Sequence, residues 1–213
     1  PMKLLIASGI FHPDSGGPAT YLYRLLPELL ARGHDIRVLT YGDAPVSGYP
    51  YPVRRISFRG GAPLRWARYA LAYAAWARWA DVIYVNTLGL PRPGDQHKPR
   101  LMKVVGDYAW ERCVTRGWLP PDEDIDAFQM RRYADRRVEV FKARRAREVR
   151  DMARILVPSV YLQHMVIGWG APAERVQVVY NALEQTGRLS PEPRTAIRAR
   201  LGWEPDGPYL VTV

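Results

Sequence analysis

The stretch FHPDSGGPAT, residues 11–20, decides the fold that the sequence predicts. It follows a short apolar run at residues 4–7, typical of a buried strand, and precedes an amphipathic run typical of a helix. Gly16 and Gly17 allow a sharp turn and a close approach to a ligand, and Pro18 suits the first helical turn. Because a helix N-terminus presents unpaired N–H groups and a positive dipole end, the stretch predicts an anion site. Plain turn chemistry is the alternative.

Short apolar runs and helical patterns alternate along the rest of the chain. The predicted strands lie at residues 4–7, 36–40, 53–58, 82–85, 102–105, 155–157 and 176–180, and the longer helices at 18–32, 63–79 and 127–152. A short helix at 193–201 and the start of a further strand at 209–213 are predicted after them. A loop rich in proline, residues 87–100, is expected to be irregular, and Pro27 is expected to kink the first helix. The alternation predicts an α/β fold, a Rossmann-like doubly wound parallel sheet of about seven strands.

Small and polar residues follow several of these strands. Ligands of open parallel sheets bind beyond the carboxyl ends of the strands, so these residues are candidates for one site. Asp107 has two possible roles, accepting a hydrogen bond from a sugar hydroxyl or capping the following turn. The residues at strand ends are Gly16, Gly17, Asn86, Asp107, Ser159 and Asn181.

The charge of the chain is strongly positive. Lys and Arg number 31 against 21 Asp and Glu, a net charge of +10, which favours sugar nucleotides, acidic lipid surfaces or nucleic acid as partners. The predicted helix at 127–152 carries much of the excess, and it is either a solvated helix or a face that adsorbs to an anionic membrane. The residues predicted to face the membrane are Arg131, Arg132, Arg136, Lys142, Arg144 and Arg145.

Aromatic residues recur at helical spacing in the predicted helix at 63–79. Trp66, Tyr69, Tyr73 and Trp76 form one stripe with arginines nearby. Packing of this stripe against the sheet is the first interpretation, and contact with lipid is the alternative.

The remaining composition bears on compartment and cofactors. A single cysteine, Cys113, excludes an internal disulfide and fits a reducing cytosol. The first apolar run is too short for a signal peptide, and the longest, residues 70–77, is far short of a membrane span. We expect a cytoplasmic protein, with peripheral attachment to the inner face of the cell membrane as the second possibility. No metal-ligand cluster is visible, so no metal and no cofactor are expected.

Several segments together carry a family resemblance. They include KLLIASGIFHPDSGGPATYLYRLLPELLARGHDIRVLT at residues 3–40, KVVGDYAWE at 103–111 and RILVPSVYLQHMVIGWGAPAERVQVVYNALE at 154–184. Their order of Gly-Gly, Arg-Gly-His, Pro-Ser, Trp-Gly and Tyr-Asn resembles the N-terminal half of retaining glycosyltransferases of family 4. The resemblance implies a GT-B fold, two Rossmann-like domains across a cleft. Residues 1–183 would form the acceptor-side domain, and residues 184–213 the linker and the start of a donor-binding domain.

The resemblance also implies a reaction. A sugar would move, with retention, from a nucleoside-diphosphate sugar to a lipid-linked or cell-envelope saccharide, with Gly16 and Gly17 at the donor diphosphate. Gly106 and Asp107 stand where many relatives carry a histidine that contacts the donor sugar, which makes Asp107 the catalytic candidate. The family's paired glutamates lie in the second domain, so the chain alone is expected to be inactive. The predicted acceptor-binding residues are His12, Asn86, Tyr108, Ser159 and Asn181.

Two other functions stay open. A basic Rossmann-like module could bind nucleic acid, although no known nucleic-acid motif is recognisable and none is expected as a partner. A GT-B epimerase acting on a nucleotide sugar is the other alternative, against which the Pro-Ser and Tyr-Asn segments count. A salt-sensitive shift with DNA would favour the first, whereas sedimentation with acidic vesicles would favour a peripheral membrane transferase.

Overall fold

The computed structural model describes residues 1–93, 97–182 and 192–208. The chain divides into two compact units, Pro1–Tyr180 and Asn181–Val213. The predicted domain boundary between residues 183 and 184 and the predicted final strand at 209–213 lie outside the described residues.

The first unit is built on one parallel sheet of seven strands, in the order β3-β2-β1-β4-β5-β6-β7. The chain winds outward from β1 to β3 and then returns to place β4 on the other side of β1. This reversal is the topological switch point at which open α/β sheets bind ligands. The predicted doubly wound sheet is therefore confirmed. The strands are β1 Lys3–Ala7, β2 Asp35–Tyr41, β3 Val53–Ile56, β4 Val82–Val85, β5 Arg100–Lys103, β6 Arg154–Val157 and β7 Val176–Val178.

Helices cover both faces of this sheet because alternate residues of each strand point to opposite sides. Leu4 and Ile6 of β1 belong to one core cluster and Leu5 to another. The first cluster includes leucines of α1 and the second includes tyrosines of α2, so different helices close the two faces. The helices are α1 Gly17–Ala31, α2 Gly61–Trp79, α3 Tyr108–Thr115, α4 Ile125–Met130, α5 Arg136–Arg150 and α6 Val160–Gly168, with a 3-10 turn at Ala173–Arg175.

The aromatic stripe of α2 is mainly a core feature. Tyr69 and Tyr73 are fully buried, and Trp76 is partly buried against the same cluster. Only Trp66, near the start of the helix, is about half exposed. The packing interpretation is confirmed for the two tyrosines, and each buried ring contributes about 1.5–3 kcal/mol to folding.

The single helix predicted at residues 127–152 is wrong, because the structure has two helices there. α4 ends at Met130, and the backbone is extended at Arg131 with ψ of 145°. α5 begins after Asp135, whose carboxylate accepts a hydrogen bond from the Arg137 N–H at 2.9 Å. Lys142 donates to the carbonyls of Phe128 and Arg131, at 2.9 and 2.6 Å, and so satisfies groups that the break exposes. The cap at Asp135 and the hydrogen bonds of Lys142 on α5 therefore stabilise a break where the spacing of apolar residues predicts one continuous helix.

Two smaller predictions concern the connection between β4 and β5 and the proline within α1. The described residues between β4 and β5 contain no helix, which confirms the irregular connection there. α1 is one continuous helix from Gly17 to Ala31, with Pro27 inside it. The kink at this proline stays a prediction.

The second unit has one described helix, α7 Arg194–Arg200, close to the predicted one at 193–201. Gly202 follows with φ of +69°, a left-handed conformation that stops a helix. Throughout residues 1–93, 97–182 and 192–208, no helix has both the length and the apolar character needed to cross a bilayer.

Candidate functional site

A cleft of about 190 Å³ opens at the carboxyl ends of β1, β4 and β5. It lies at the switch point between β1 and β4, where the fold predicts a ligand. Both hydrogen-bond donors and acceptors line it, together with the start of α1. The lining residues include Pro18, Asn86, Thr87, Lys103, Tyr108 and Glu111.

The N-terminus of α1 forms one side of this cleft, since Pro18 lines it. No side chain caps the helix, and its first turn contains no acidic residue. Gly16 has φ of +150°, which favours glycine, while a Cβ on Gly17 would meet no atom within 4 Å. An uncapped helix start with open space before it can accept an anion, as the sequence predicted.

Asn86 connects the end of β4 to this helix start. Its side-chain amide donates to the Pro18 carbonyl at 3.3 Å, and the residue is nearly buried. Nearby, Thr87 accepts a hydrogen bond from the Gly9 N–H at 2.9 Å. The predicted Asn86 thus lines the same cleft as Pro18, whereas Gly16 and Gly17 precede Pro18 and are not among the lining residues.

Lys103 is a cleft residue that sequence reasoning missed. It is the last residue of β5, it is 7% exposed, and its Nζ lies 3.3 Å from the centre of the Tyr21 ring. Burial lowers the pKa of this ammonium group. The signal was a lysine within the apolar run LMKVV, a charge that a buried strand rarely carries.

Glu111 and Tyr108 reach the cleft from α3. Desolvation, with a further contribution from the charge of Asp107, raises the pKa of the Glu111 carboxyl. A Cβ on Gly106 would lie 2.7 Å from Glu111 Oε1, so this position has no room for a side chain unless the carboxylate moves. Tyr108 was predicted and does line the cleft, whereas Glu111 was missed.

Asp107 lies beneath the cleft and does not line it. Its side chain is fully buried, and Oδ1 accepts from the N–H groups of Ala109 and Trp110 at 2.9 and 3.2 Å. Oδ2 forms an ion pair with Arg145 and accepts from Gln129 Nε2 at 2.9 Å. The capping alternative is therefore the observed one. A carboxylate with no exposed surface makes no contact with a sugar in this conformation, so the structure does not support the catalytic alternative.

His12 is held by two tyrosines at the loop before α1. Its Nδ1 lies 3.1 Å from the Tyr49 hydroxyl, and its ring stacks on Tyr23 at 3.9 Å between centroids. The Arg55 guanidinium forms an ion pair with Asp14 at 3.4 Å. His12 does not line the described cleft, and its acceptor-binding role stays a prediction.

Ser159 does not line the cleft of the first unit. Ser159 is the N-cap of α6, and its hydroxyl accepts from the Leu162 N–H at 3.2 Å. Asn181 belongs to the second unit. Both roles in acceptor binding stay predictions.

The six basic residues predicted to face a membrane do not share one exposed face. The prediction is wrong for Arg145, which is 5% exposed and pairs with Asp107. Lys142 is occupied by the carbonyls at the end of α4, and Arg144 donates to the Gly89 carbonyl at 2.9 Å. The members that are exposed are Arg131, Arg132 and Arg136.

Metal-binding side chains do not gather in the described part of the chain. Across its three described ranges, no group of three or more His, Cys, Asp or Glu could hold a metal ion. The expectation that no metal or cofactor is needed stays a prediction.

Residues 15–185 match the family model described as Glycosyltransferase Family 4. No curated protein matches the chain.

The chain is also similar in fold to several solved glycosyltransferase structures. One is Anabaena HepE in complex with UDP and glucose, at 16% identity and a TM-score of 0.57, over 95% of this chain and 50% of that one. Sucrose-phosphate synthase from Thermosynechococcus elongatus is 14% identical with a TM-score of 0.62, over 98% and 54% of the two chains. The lipopolysaccharide outer core galactosyltransferase WaaB is 12% identical with a TM-score of 0.51, over 94% and 57%. The chain thus spans about half the length of these proteins.

Proposed function

Because the chain belongs to glycosyltransferase family 4, we propose that it forms the acceptor-side domain of an enzyme that transfers a sugar from a nucleoside-diphosphate sugar to a saccharide. The transfer proceeds with retention at the anomeric carbon, as the family resemblance implies.

The observation that carries this proposal is the uncapped N-terminus of α1 beside the cleft. A departing nucleoside diphosphate gains negative charge as the bond to the sugar breaks. N–H groups and the positive end of a helix dipole, fixed in place before the reaction, stabilise that charge. The open space at Gly17 leaves room for the phosphate groups to approach the backbone.

A nucleotide sugar is supported as the donor class by a relative of the same fold. HepE structures contain UDP or UDP-glucose. UDP-glucose is therefore the first probe for this protein, with other nucleotide sugars beside it. The net charge of +10 favours any of these anionic donors.

The acceptor is proposed to bind in the cleft between α1 and α3. Asn86 and Lys103 supply hydrogen-bond donors there, and Glu111 supplies an acceptor. This mixture suits a molecule with many hydroxyl groups. A lipid-linked or cell-envelope saccharide would place the enzyme peripherally on the inner face of the cell membrane.

Replacement of Gly17 by tryptophan tests the diphosphate site. The variant is made in a protein extended through a donor-binding domain, and turnover or slow hydrolysis of each nucleotide sugar is followed by mass spectrometry. The Gly17→Trp side chain would occupy the space before the helix, so we expect at least about a hundredfold loss of turnover and loss of thermal protection by the donor. NMR of the first product reads the anomeric configuration and tests retention.

Gly168→Trp is the matched control. Gly168 is exposed and lies at the end of α6, and a Cβ on it, as on Gly17, would meet no atom within 4 Å. Turnover in this variant should equal that of wild type. Unchanged turnover in Gly17→Trp would contradict the proposed diphosphate site, and no reaction with any donor would contradict the transferase itself.

A further inference from the structure

The outward side of α2 is made of leucine, alanine and arginine alone. The inward side is occupied by the buried tyrosines, and the opposite arc faces solvent. Leu71 is 73% exposed, and Leu64, on the same side of the helix, is 44% exposed. The exposed residues of this arc are Leu64, Ala67, Arg68, Leu71, Ala75 and Arg78.

Two aromatic side chains near the start of the helix are also exposed, but they are not part of this arc, because Trp66 lies on the stripe of Tyr69 and Tyr73 and Phe58 stacks on Tyr41. Phe58, in the turn before α2, is 54% exposed, and Trp66 is 49% exposed. The Arg65 guanidinium lies 5.4 Å from the centre of the Phe58 ring. We call Leu64 and Leu71, with Arg59, Arg68 and Arg78, the α2 surface.

The charge around the α2 surface has one sign. Residues 44–80 contain six arginines and no Asp, Glu or Lys. Within the part of the chain that the structure describes, no carboxylate forms a salt bridge with Arg59, Arg68 or Arg78. These arginines are therefore available for phosphate groups outside the protein.

We propose that the α2 surface docks on an anionic lipid bilayer, with its leucines in the interface and its arginines at the lipid phosphates. Exposed apolar side chains gain free energy when they leave water, and arginines beside them reach the headgroups with their long stems. Each basic residue near an anionic surface adds electrostatic attraction. This inference rests on the peripheral location in the proposed function and names the surface responsible.

A bilayer fits the α2 surface better than nucleic acid does. Nucleic-acid phosphates would pair with the arginines but would leave Leu64 and Leu71 in water. The α2 surface also fits better than α5, the helix favoured by sequence. The outer side of α5 has one large apolar residue, Val140, and Arg137 at its start is paired with Asp135 at 2.7 Å.

Vesicle sedimentation of the 213-residue chain tests this surface. The vesicles contain phosphatidylglycerol and phosphatidylcholine in equal parts, or phosphatidylcholine alone. Wild type should sediment with the mixed vesicles and not with the neutral ones. The double variant Leu64→Ser, Leu71→Ser should bind about tenfold or more weakly, because it loses two apolar contacts. Arg68→Gln should weaken binding and reduce its dependence on salt.

The α5 variants Val140→Ser and Arg136→Gln are the matched controls, since they make the same kinds of change on the other basic helix. They should bind vesicles like wild type, and circular dichroism should be the same for all variants because every altered side chain is exposed.

Three results would overturn the proposal: no sedimentation with mixed vesicles, equal loss of binding in the α5 variants, or binding of mixed-sequence DNA without binding of vesicles. None of these measurements uses a sugar donor. A failure here therefore leaves the transfer experiment to be judged separately, and a failed transfer experiment does not alter the vesicle result.

Discussion

At the scale of single residues, the pair formed by Asp107 and Arg145 shows how burial changes the interpretation of a charge. In the sequence, Asp107 is a polar residue at the end of a predicted strand, and capping of the following turn was one of its two proposed roles. It could not identify the partner, because Arg145 lies on a different helix and 38 residues further along the chain. Two residues predicted to contact a sugar and a membrane instead neutralise each other inside the protein.

Removing this partner should strongly destabilise the fold. Arg145→Met keeps most of the side-chain stem, but it leaves the Asp107 carboxylate buried without its countercharge. We expect a loss of about 3–5 kcal/mol in the free energy of unfolding, measured by urea denaturation. Arg136→Met, an exposed change on the same helix, should stay within about 0.5 kcal/mol of wild type.

A double-mutant cycle separates the ion pair from general packing. Asp107→Asn keeps a capping oxygen for α3 and removes the buried charge. The double variant Arg145→Met, Asp107→Asn should be less destabilised than the sum of its single variants. Simple additivity would show that the two side chains do not depend on each other.

At the scale of elements, side-chain caps decide where the helices begin. Asp107, Asp124, Asp135 and Ser159 each accept a hydrogen bond from the first turn of the helix that follows. The cap at Asp135 accounts for the break that sequence periodicity missed between α4 and α5. α2 also begins without a side-chain cap, so the start of α1 is distinguished by its place beside the cleft and not by the missing cap.

Ser159 provides a direct test of capping against substrate contact. Ser159→Ala removes the acceptor for the Leu162 N–H, so the free energy of unfolding should fall by about 1 kcal/mol. Ser159→Asp restores a capping oxygen and should recover most of that loss, as measured by urea denaturation.

The same two variants, made in the extended protein, test the predicted acceptor role of Ser159. If the hydroxyl serves only as a cap, Ser159→Asp should leave the KM for the acceptor unchanged. A raised KM in both variants, with stability restored in Ser159→Asp, would place the hydroxyl at the acceptor instead.

At the scale of the whole molecule, the site depends on the order of the strands. Asn86 follows β4 and Lys103 ends β5, yet both reach the cleft beside α1 because β4 lies between β1 and β5. The cleft brings the start of α1, a carboxylate and a lysine together at one edge of the sheet. The chain also spans about half the length of its solved relatives, so the reaction is expected to need more protein than these residues.

The 213-residue chain alone should therefore show no sugar transfer. The family resemblance implies that most donor contacts lie in a second domain, so we expect the cleft of the first unit to supply only one side of a donor site. Release of UDP from UDP-glucose should equal the rate without protein, while the extended protein serves as the positive control. Turnover by the chain alone would refute this expectation.

The amino-acid sequence by itself determined the alternation of strands and helices, the parallel sheet and the glycine turn at the start of α1. These features follow from periodicity and backbone preference, which depend on residues close together in the chain. Only the tertiary structure decided that Lys103 and Glu111 line the cleft with Asn86, that Arg145 is buried, and that Leu64 and Leu71 of α2 remain exposed. Burial and ion pairing depend on which distant segments pack together, and strand order sets those contacts.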